Sequence, residues 1–264
     1  MGVPYVIVDA FAEKPFTGNP AAVVLLVAPR EPEWMLAVAR ETNLSETAFV
    51  VPRGAGEFDL RWFTPAVEVP LCGHATLATA HFLWGEDVIA KERVIRFHTA
   101  SGPLLARQDG AWIELDLPSI PAEEREAPEA LGLALGARPI RTGKSAEDWL
   151  AEFADEAAIR ALRPDFARIA ALGGQGVIAT ARSTSERADF VSRYFAPAVG
   201  IDEDPVTGAA HCTLSPWWSA RLGRTRLVGY QASRRGGFVR VEHRDDRVAV
   251  AGVAVTIALG MLQV

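Results

Sequence analysis

Runs of alternating or continuous apolar residues, broken by Gly, Pro and Asn, divide the chain into short strands with a few helices between them. Tyr5–Val8 and Ala22–Val27 are β-type runs, separated by a Gly18-Asn19-Pro20 turn. Glu33–Arg40 has helical character after Pro32, Thr47–Val51 is strand-like, and Phe58–Phe63 alternates. A helix is predicted after Gly73, because Ala75–Trp84 is rich in Ala, Leu and Phe and stops at Gly85. Arg93–His98, Leu104–Arg107 and Trp112–Leu117 then read as strands. Pro118–Pro128, with further prolines and a run of Glu, reads as a linker. Beyond it, helical character is predicted through Glu147–Ala170, strands over Gly176–Thr180 and Phe190–Phe195, and a helix from Gly208 towards Leu222. The final stretch, Val248–Val264, has 17 residues and no charge, the lower limit for a membrane helix. Its Val-rich pattern, broken by Gly252 and Gly260, predicts two short buried strands and a turn instead.

The pattern repeats. Phe63-Thr64-Pro65-Ala66-Val67 is followed by Pro70-Leu71-Cys72-Gly73-His74-Ala75. Phe195-Ala196-Pro197-Ala198-Val199 is followed by Pro205-Val206-Thr207-Gly208-Ala209-Ala210. Aligned on Phe63 and Phe195, the second copy carries three extra residues, where Asp202, Glu203 and Asp204 sit. Each copy reads as strand, kinked loop, Gly, helix. The expectation is an α+β chain of two similar lobes, 1–118 and 119–264, with the C-terminal strand crossing back to the first lobe as a variant of that division.

Two helices that each start at Gly expose backbone N–H groups, and with the helix dipole these suit a carboxylate or an enolate oxygen. Facing one cleft from opposite lobes, they would hold a small anionic substrate while a base removes a neighbouring proton. Composition narrows the alternatives. The net charge of −6 and the absence of a basic cluster beyond pairs such as Arg234-Arg235 argue against nucleic-acid binding. Two cysteines make no disulfide framework, and neither a Cys-x-x-Cys nor a His-Glu-x-x-His metal pattern occurs. Met1-Gly2-Val3-Pro4-Tyr5 lacks the basic start and apolar core of a signal peptide, so a cytoplasmic location without membrane partners is expected.

Five segments then point to a family. Val8-Asp9-Ala10-Phe11, Thr17-Gly18-Asn19-Pro20-Ala21-Ala22-Val23, Glu41-Thr42-Asn43-Leu44-Ser45-Glu46-Thr47-Ala48-Phe49, Cys72-Gly73-His74-Ala75-Thr76 and Glu203-Asp204-Pro205-Val206-Thr207-Gly208 resemble the PhzF (phenazine-biosynthesis) family. The resemblance spans both halves in order. It implies a diaminopimelate-epimerase-like fold, with two pseudo-symmetric β-barrel-like lobes, each around a central helix, and the site in the cleft between them. It also implies a homodimer and a metal- and cofactor-independent isomerase that acts on trans-2,3-dihydro-3-hydroxyanthranilate or a similar small carboxylate. By motif, Glu46 would shuttle the proton, its pKa raised by desolvation in the enclosed cleft, with His74 and Asp204 as catalytic partners. Asn19, Ser45, Gly73, Thr207, Gly208 and Ala209 would bind substrate. The chain departs from the motif at Ala209, where the family usually carries a serine.

Other readings of the same residues stand beside this one. Cys72 and Thr207 occupy the helix starts where related racemases carry two cysteines. A dehydratase or epimerase of a small hydroxy or imino acid could use Cys72 as its base, although a hydroxyl at 207 makes a two-thiol mechanism unfavourable. A non-catalytic ligand-binding protein is the third reading. Locally, Asp204 before Pro205 has the pattern of a helix N-cap followed by Pro at the first helical position. His211, Cys212 and the Trp217-Trp218 pair read as packing residues in the second helix.

Overall fold

The computed structural model describes residues 2–54 and 56–263; Met1, Ala55 and Val264, the last of which ends the charge-free C-terminal stretch, lie outside the described residues. The chain divides into two compact units, Met1–Leu117 with Ala249–Val264, and Pro118–Val248.

In the first unit the order is β1 (Val3–Ala10), β2 (Asn19–Leu25), α1 (Pro32–Thr42), β3 (Glu46–Gly54), β4 (Glu57–Phe63), β5 (Glu68–Val69), α2 (Gly73–Gly85), β6 (Ile95–Thr99), β7 (Gly102–Asp109) and β8 (Trp112–Pro118). The second unit continues with β9 (Glu123–Glu124), α3 (Glu129–Leu135), β10 (Arg141–Lys144), β11 (Asp148–Glu152), α4 (Glu156–Ala161), α5 (Phe166–Ala170), β12 (Gly176–Arg182), β13 (Phe190–Ala196), a 3₁₀ turn (Pro197–Val199), β14 (Ile201–Asp204), α6 (Gly208–Leu222), β15 (Arg226–Gln231) and β16 (Gly237–Arg244). β17 (Arg247–Gly252) leads to β18 (Ala254–Leu262), which pairs antiparallel with β1.

The internal repeat is written into the strand pairing. β1–β2 is antiparallel, β2–β3 parallel, β3–β4 antiparallel, β4–β6 parallel and β6–β7 antiparallel. β10–β11, β11–β12, β12–β13, β13–β15 and β15–β16 run through the same sequence of directions. In each series a short strand, β5 or β14, pairs beside the fourth strand just before the helix that begins at Gly73 or Gly208. Phe63 and Phe195 lie at the ends of equivalent strands, as the last and the penultimate residue, and each is buried against a helical layer. In the first unit that layer is Met35, Val38 and Ala39 of α1. In the second it is Leu131, Ala134 and Leu135 of α3 with Ile159 and Ile169.

α2 and α6 are buried around most of their circumference, so neither is amphipathic; a helix of this kind is a core element, not a surface one. α6 contains Pro216, which has no N–H to donate to the Cys212 carbonyl one turn earlier. That carbonyl accepts instead from the Ile120 N–H at 3.1 Å. Pro118–Pro128 is therefore not a free linker: β9 pairs with β10, and Ile120 is tied to α6.

Two further expectations are corrected. Glu147–Ala170 does not run as helix. Its start forms β11, whose Leu150, Ala151 and Glu152 are buried beside β12, and α4 and α5 are two short helices capped by the Asp155 and Asp165 side chains. Parallel pairing with a buried strand overrides the helical preference of Ala and Glu there. The C-terminal strands are not both buried: β17 is largely so, while Leu259 and Met261 of β18 are exposed. No helix among the described residues is long and apolar enough to cross a membrane.

Candidate active site

In the first unit, α1 ends in a left-handed Asn43 (φ 50°), and the chain turns through Ser45 directly into β3. Glu46 is thereby the first residue of an inner strand, paired with Ala21 of β2, and is only 8% exposed. Gly18 (φ 66°) precedes β2, where an added Cβ would stand 2.2 Å from the Ala10 carbonyl oxygen; only glycine fits. Asn19 follows it and is fully buried. Ser45 is half-buried.

His74 is the second residue of α2, and Cys72 is its N-cap. His74 Nε2 lies 3.2 Å from Glu46 Oε2, and Nδ1 lies 3.5 Å from Cys72 Sγ. The imidazole thus stands between a carboxylate and a thiol, all three buried, with its hydrogen-bond geometry on the thiol side. Their ligand atoms lie within 4.8 Å of one another, which makes them the group in this region able to hold a metal ion. Burial pushes His74 down, to about 3, so its ring is neutral at neutral pH, with one N–H and one lone pair. The Cys72 side chain caps none of the leading backbone N–H groups of α2.

The second unit gathers Asp204, Thr207 and Gly208. Asp204 is not the N-cap of α6: it ends β14, and Thr207 is the N-cap. Asp204 lies three residues before that cap, and its Oδ2 accepts from Thr207 Oγ1 at 2.5 Å. Gln231, at the end of β15 and fully buried, locks this arrangement. Its Oε1 accepts from the Thr207 N–H at 2.9 Å, and its Nε2 donates to the Asp204 carbonyl at 2.8 Å and to Thr207 Oγ1 at 3.1 Å. Sequence reading missed Gln231; a lone Gln at a strand end carries no motif. The neighbouring Glu203 is committed elsewhere, accepting from both Nε and Nη2 of Arg193 at 2.7 and 2.9 Å. Ala209 is half-buried and offers no side-chain hydrogen bond.

The repeat makes the chemical asymmetry legible. Thr47 pairs with Phe63, and Val177 pairs with Phe195, so Gly176 stands where Glu46 stands in the first unit. A Cβ at Gly176 would meet the Phe195 carbonyl oxygen at 2.4 Å and the Tyr194 hydroxyl at 3.1 Å, so no side chain fits. His74 corresponds to Ala209, and Cys72 to Thr207. The first unit therefore carries an acid–base pair that the second lacks. His211 and Cys212 do pack inside α6. His211 is 2.8 Å from the Thr207 carbonyl and held down to about 4 by burial, while burial pushes the Cys212 thiol up to about 12. Trp217 and Trp218 are buried, with their indole N–H groups donating to Glu152 and Thr180.

Comparison with known proteins agrees with this architecture. A protein from Halalkalibacterium halodurans named as an uncharacterized isomerase is 48% identical over 97% of both chains. The crystal structure of a phenazine biosynthesis protein of the PhzF family from Enterococcus faecalis superposes with a TM-score of 0.93, at 42% identity and full coverage of both chains. A Pseudomonas aeruginosa protein described as a predicted epimerase shares the fold at 23% identity, with a TM-score of 0.78 and 99% of both chains covered. The fold is epimerase-like, and the relatives point to an isomerase. The family model described as phenazine biosynthesis-like protein matches residues 8–260, and the chain belongs to this PhzC-PhzF family.

Proposed function

We propose that this protein is a cofactor-independent isomerase that moves a proton on a small carboxylate substrate of the trans-2,3-dihydro-3-hydroxyanthranilate type. Glu46 acts as both acid and base. Its carboxylate takes a proton from a substrate carbon, the double bond shifts, and the same carboxyl group returns a proton to a second carbon. Neutral His74, 3.2 Å from Glu46, steadies the carboxyl group through both protonation states. The leading N–H groups of α2 and α6 hold the substrate's anionic oxygens as charge develops. Asp204 and Thr207, fixed by Gln231, orient its polar groups. Asn19, Ser45, Gly73, Gly208 and Ala209 complete the proposed binding set.

The observation that carries this reading is the one-sidedness of the acid–base equipment. A racemase that works from two faces needs two bases, and the repeat supplies Glu46 with His74 once and Gly176 with Ala209 in the other copy. A single base suits a proton that leaves and returns on one face.

The test is proton NMR in D₂O with trans-2,3-dihydro-3-hydroxyanthranilate, wild type against Glu46→Gln. Wild-type turnover or ring-proton exchange, absent in the variant, supports both the reaction and the base. Full activity in Glu46→Gln removes Glu46 from the role. One observation favours a second reading, an epimerase or dehydratase of a small hydroxy or imino acid: Cys72 Sγ touches His74 Nδ1 at 3.5 Å, as a thiol base would. Cys72→Ala separates the two. It abolishes the thiol reaction and leaves the Glu46 reaction standing.

A further inference from the structure

The three buried donors of the first unit have a second chemistry available to them. Cys72, His74 and Glu46 offer one sulfur, one nitrogen and one oxygen, all within 4.8 Å of one another. We propose that they form a binding site for Zn²⁺, and that the ion, by engaging the Glu46 carboxylate, is a reversible inhibitor of the protein; the inhibition rests on the function proposed above, the binding does not.

The geometry is close to what the metal requires. Zn–S and Zn–N bonds of about 2.3 and 2.0–2.1 Å at a tetrahedral angle set sulfur and nitrogen about 3.5 Å apart. Cys72 Sγ and His74 Nδ1 are 3.5 Å apart. The Glu46 oxygen, now beside Nε2, has to swing round towards Nδ1 and the thiol, bringing three ligand atoms that already lie within 4.8 Å of one another to a ligand spacing of about 3.5 Å. Three protein ligands leave a fourth position for water. Charge also balances: a thiolate and a carboxylate together neutralise a dication, which a buried site demands. One proton leaves the Cys72 thiol for the buffer per ion bound. Mg²⁺ and Ca²⁺, which prefer oxygen ligands alone, do not fit this donor set.

Co²⁺ titrated into the full chain is the probe, since a cobalt–thiolate bond gives a near-ultraviolet charge-transfer band. The expected result is one Co²⁺ per chain with that band, displaced by Zn²⁺ and unaffected by Mg²⁺. The band is lost in Cys72→Ala and kept in Cys212→Ala, and affinity falls about tenfold or more in Glu46→Gln. No saturable binding, or a band that survives Cys72→Ala, overturns the proposal. Should Cys72→Ala not fold, Glu46→Gln with unchanged affinity overturns it equally. Zn²⁺ should then stop the D₂O exchange reaction, and a chelator restore it. Metal binding without any wild-type turnover counts against the proposed function alone. Turnover without metal binding counts against the site alone.

Discussion

Gln231 bears on the second unit more heavily than its sequence context suggests. It is fully buried and serves three partners: the Thr207 N–H, the Asp204 carbonyl and the Thr207 hydroxyl. Gln231→Leu keeps the volume and removes every polar partner. Two buried backbone groups, one donor and one acceptor, then lose their hydrogen bonds. Each costs about 1–3 kcal/mol, so the variant should lose about 4 kcal/mol in total. For a chain of this size that is on the order of 10 °C in Tm. Thr207 Oγ1 keeps its bond to Asp204, so the loss should fall on the start of α6 rather than on the whole sheet. Urea unfolding by circular dichroism, read beside a thermal melt, gives the number. A Leu variant within about 0.5 kcal/mol of the parent refutes the claim that this side chain holds the start of α6 in place.

Three other outcomes are expected. Gly176→Ala should cost at least about 2 kcal/mol in urea unfolding, because its Cβ would sit 2.4 Å from the Phe195 carbonyl oxygen; parental stability would show that β12 shifts freely. Burial lifts Asp148 to about 6, against a bond donated by the Tyr194 hydroxyl, so its ionised form is a liability in the folded state above that pH. Asp148→Asn should therefore gain up to about 3 kcal/mol relative to wild type between pH 4 and pH 8, with the gain vanishing at the acid end; a pH-independent difference would contradict it. His74, held neutral down to about 3, contributes stability that is complete above its unfolded value of 6.5 and is lost as pH falls below it. That loss is about 2 kcal/mol at pH 5, and His74→Asn should show a correspondingly flatter urea-midpoint profile from pH 7.5 to pH 5.

Much of this was legible in the residues. Gly73 and Gly208 marked both central helices, because a glycine after a small N-cap residue followed by an Ala- and Leu-rich run has few other uses. The Phe63 and Phe195 strings announced the repeat, since each Phe lies near the end of a strand and packs against a helix layer. Glu46 and His74 were found through motif resemblance and stand together. What escaped detection depended on tertiary pairing. Asp148–Glu152 looks helical in isolation and is a strand because β12 lies beside it. Asp204 looks like an N-cap, yet it ends β14 and Thr207 takes that place, and no local rule places a glutamine partner 24 residues beyond Thr207. The exposure of Leu259 and Met261 was hidden for a similar reason: apolar composition predicts burial, and only the position of β18 at the end of the β1 pairing series reveals otherwise.

The pairing of β18 with β1 has a consequence for synthesis. The strand that begins the chain waits for one that ends it, with about 250 residues and an entire second unit made in between. Throughout translation, one edge of β1 has no strand from its own chain to bond. The second unit, contiguous in sequence, has every strand of its own series once residue 248 has emerged, while the first needs the final strand. Folding order is thus inverted relative to synthesis order: the half that is made first is finished last, and closure of so long a loop places its last step among slow, aggregation-exposed events.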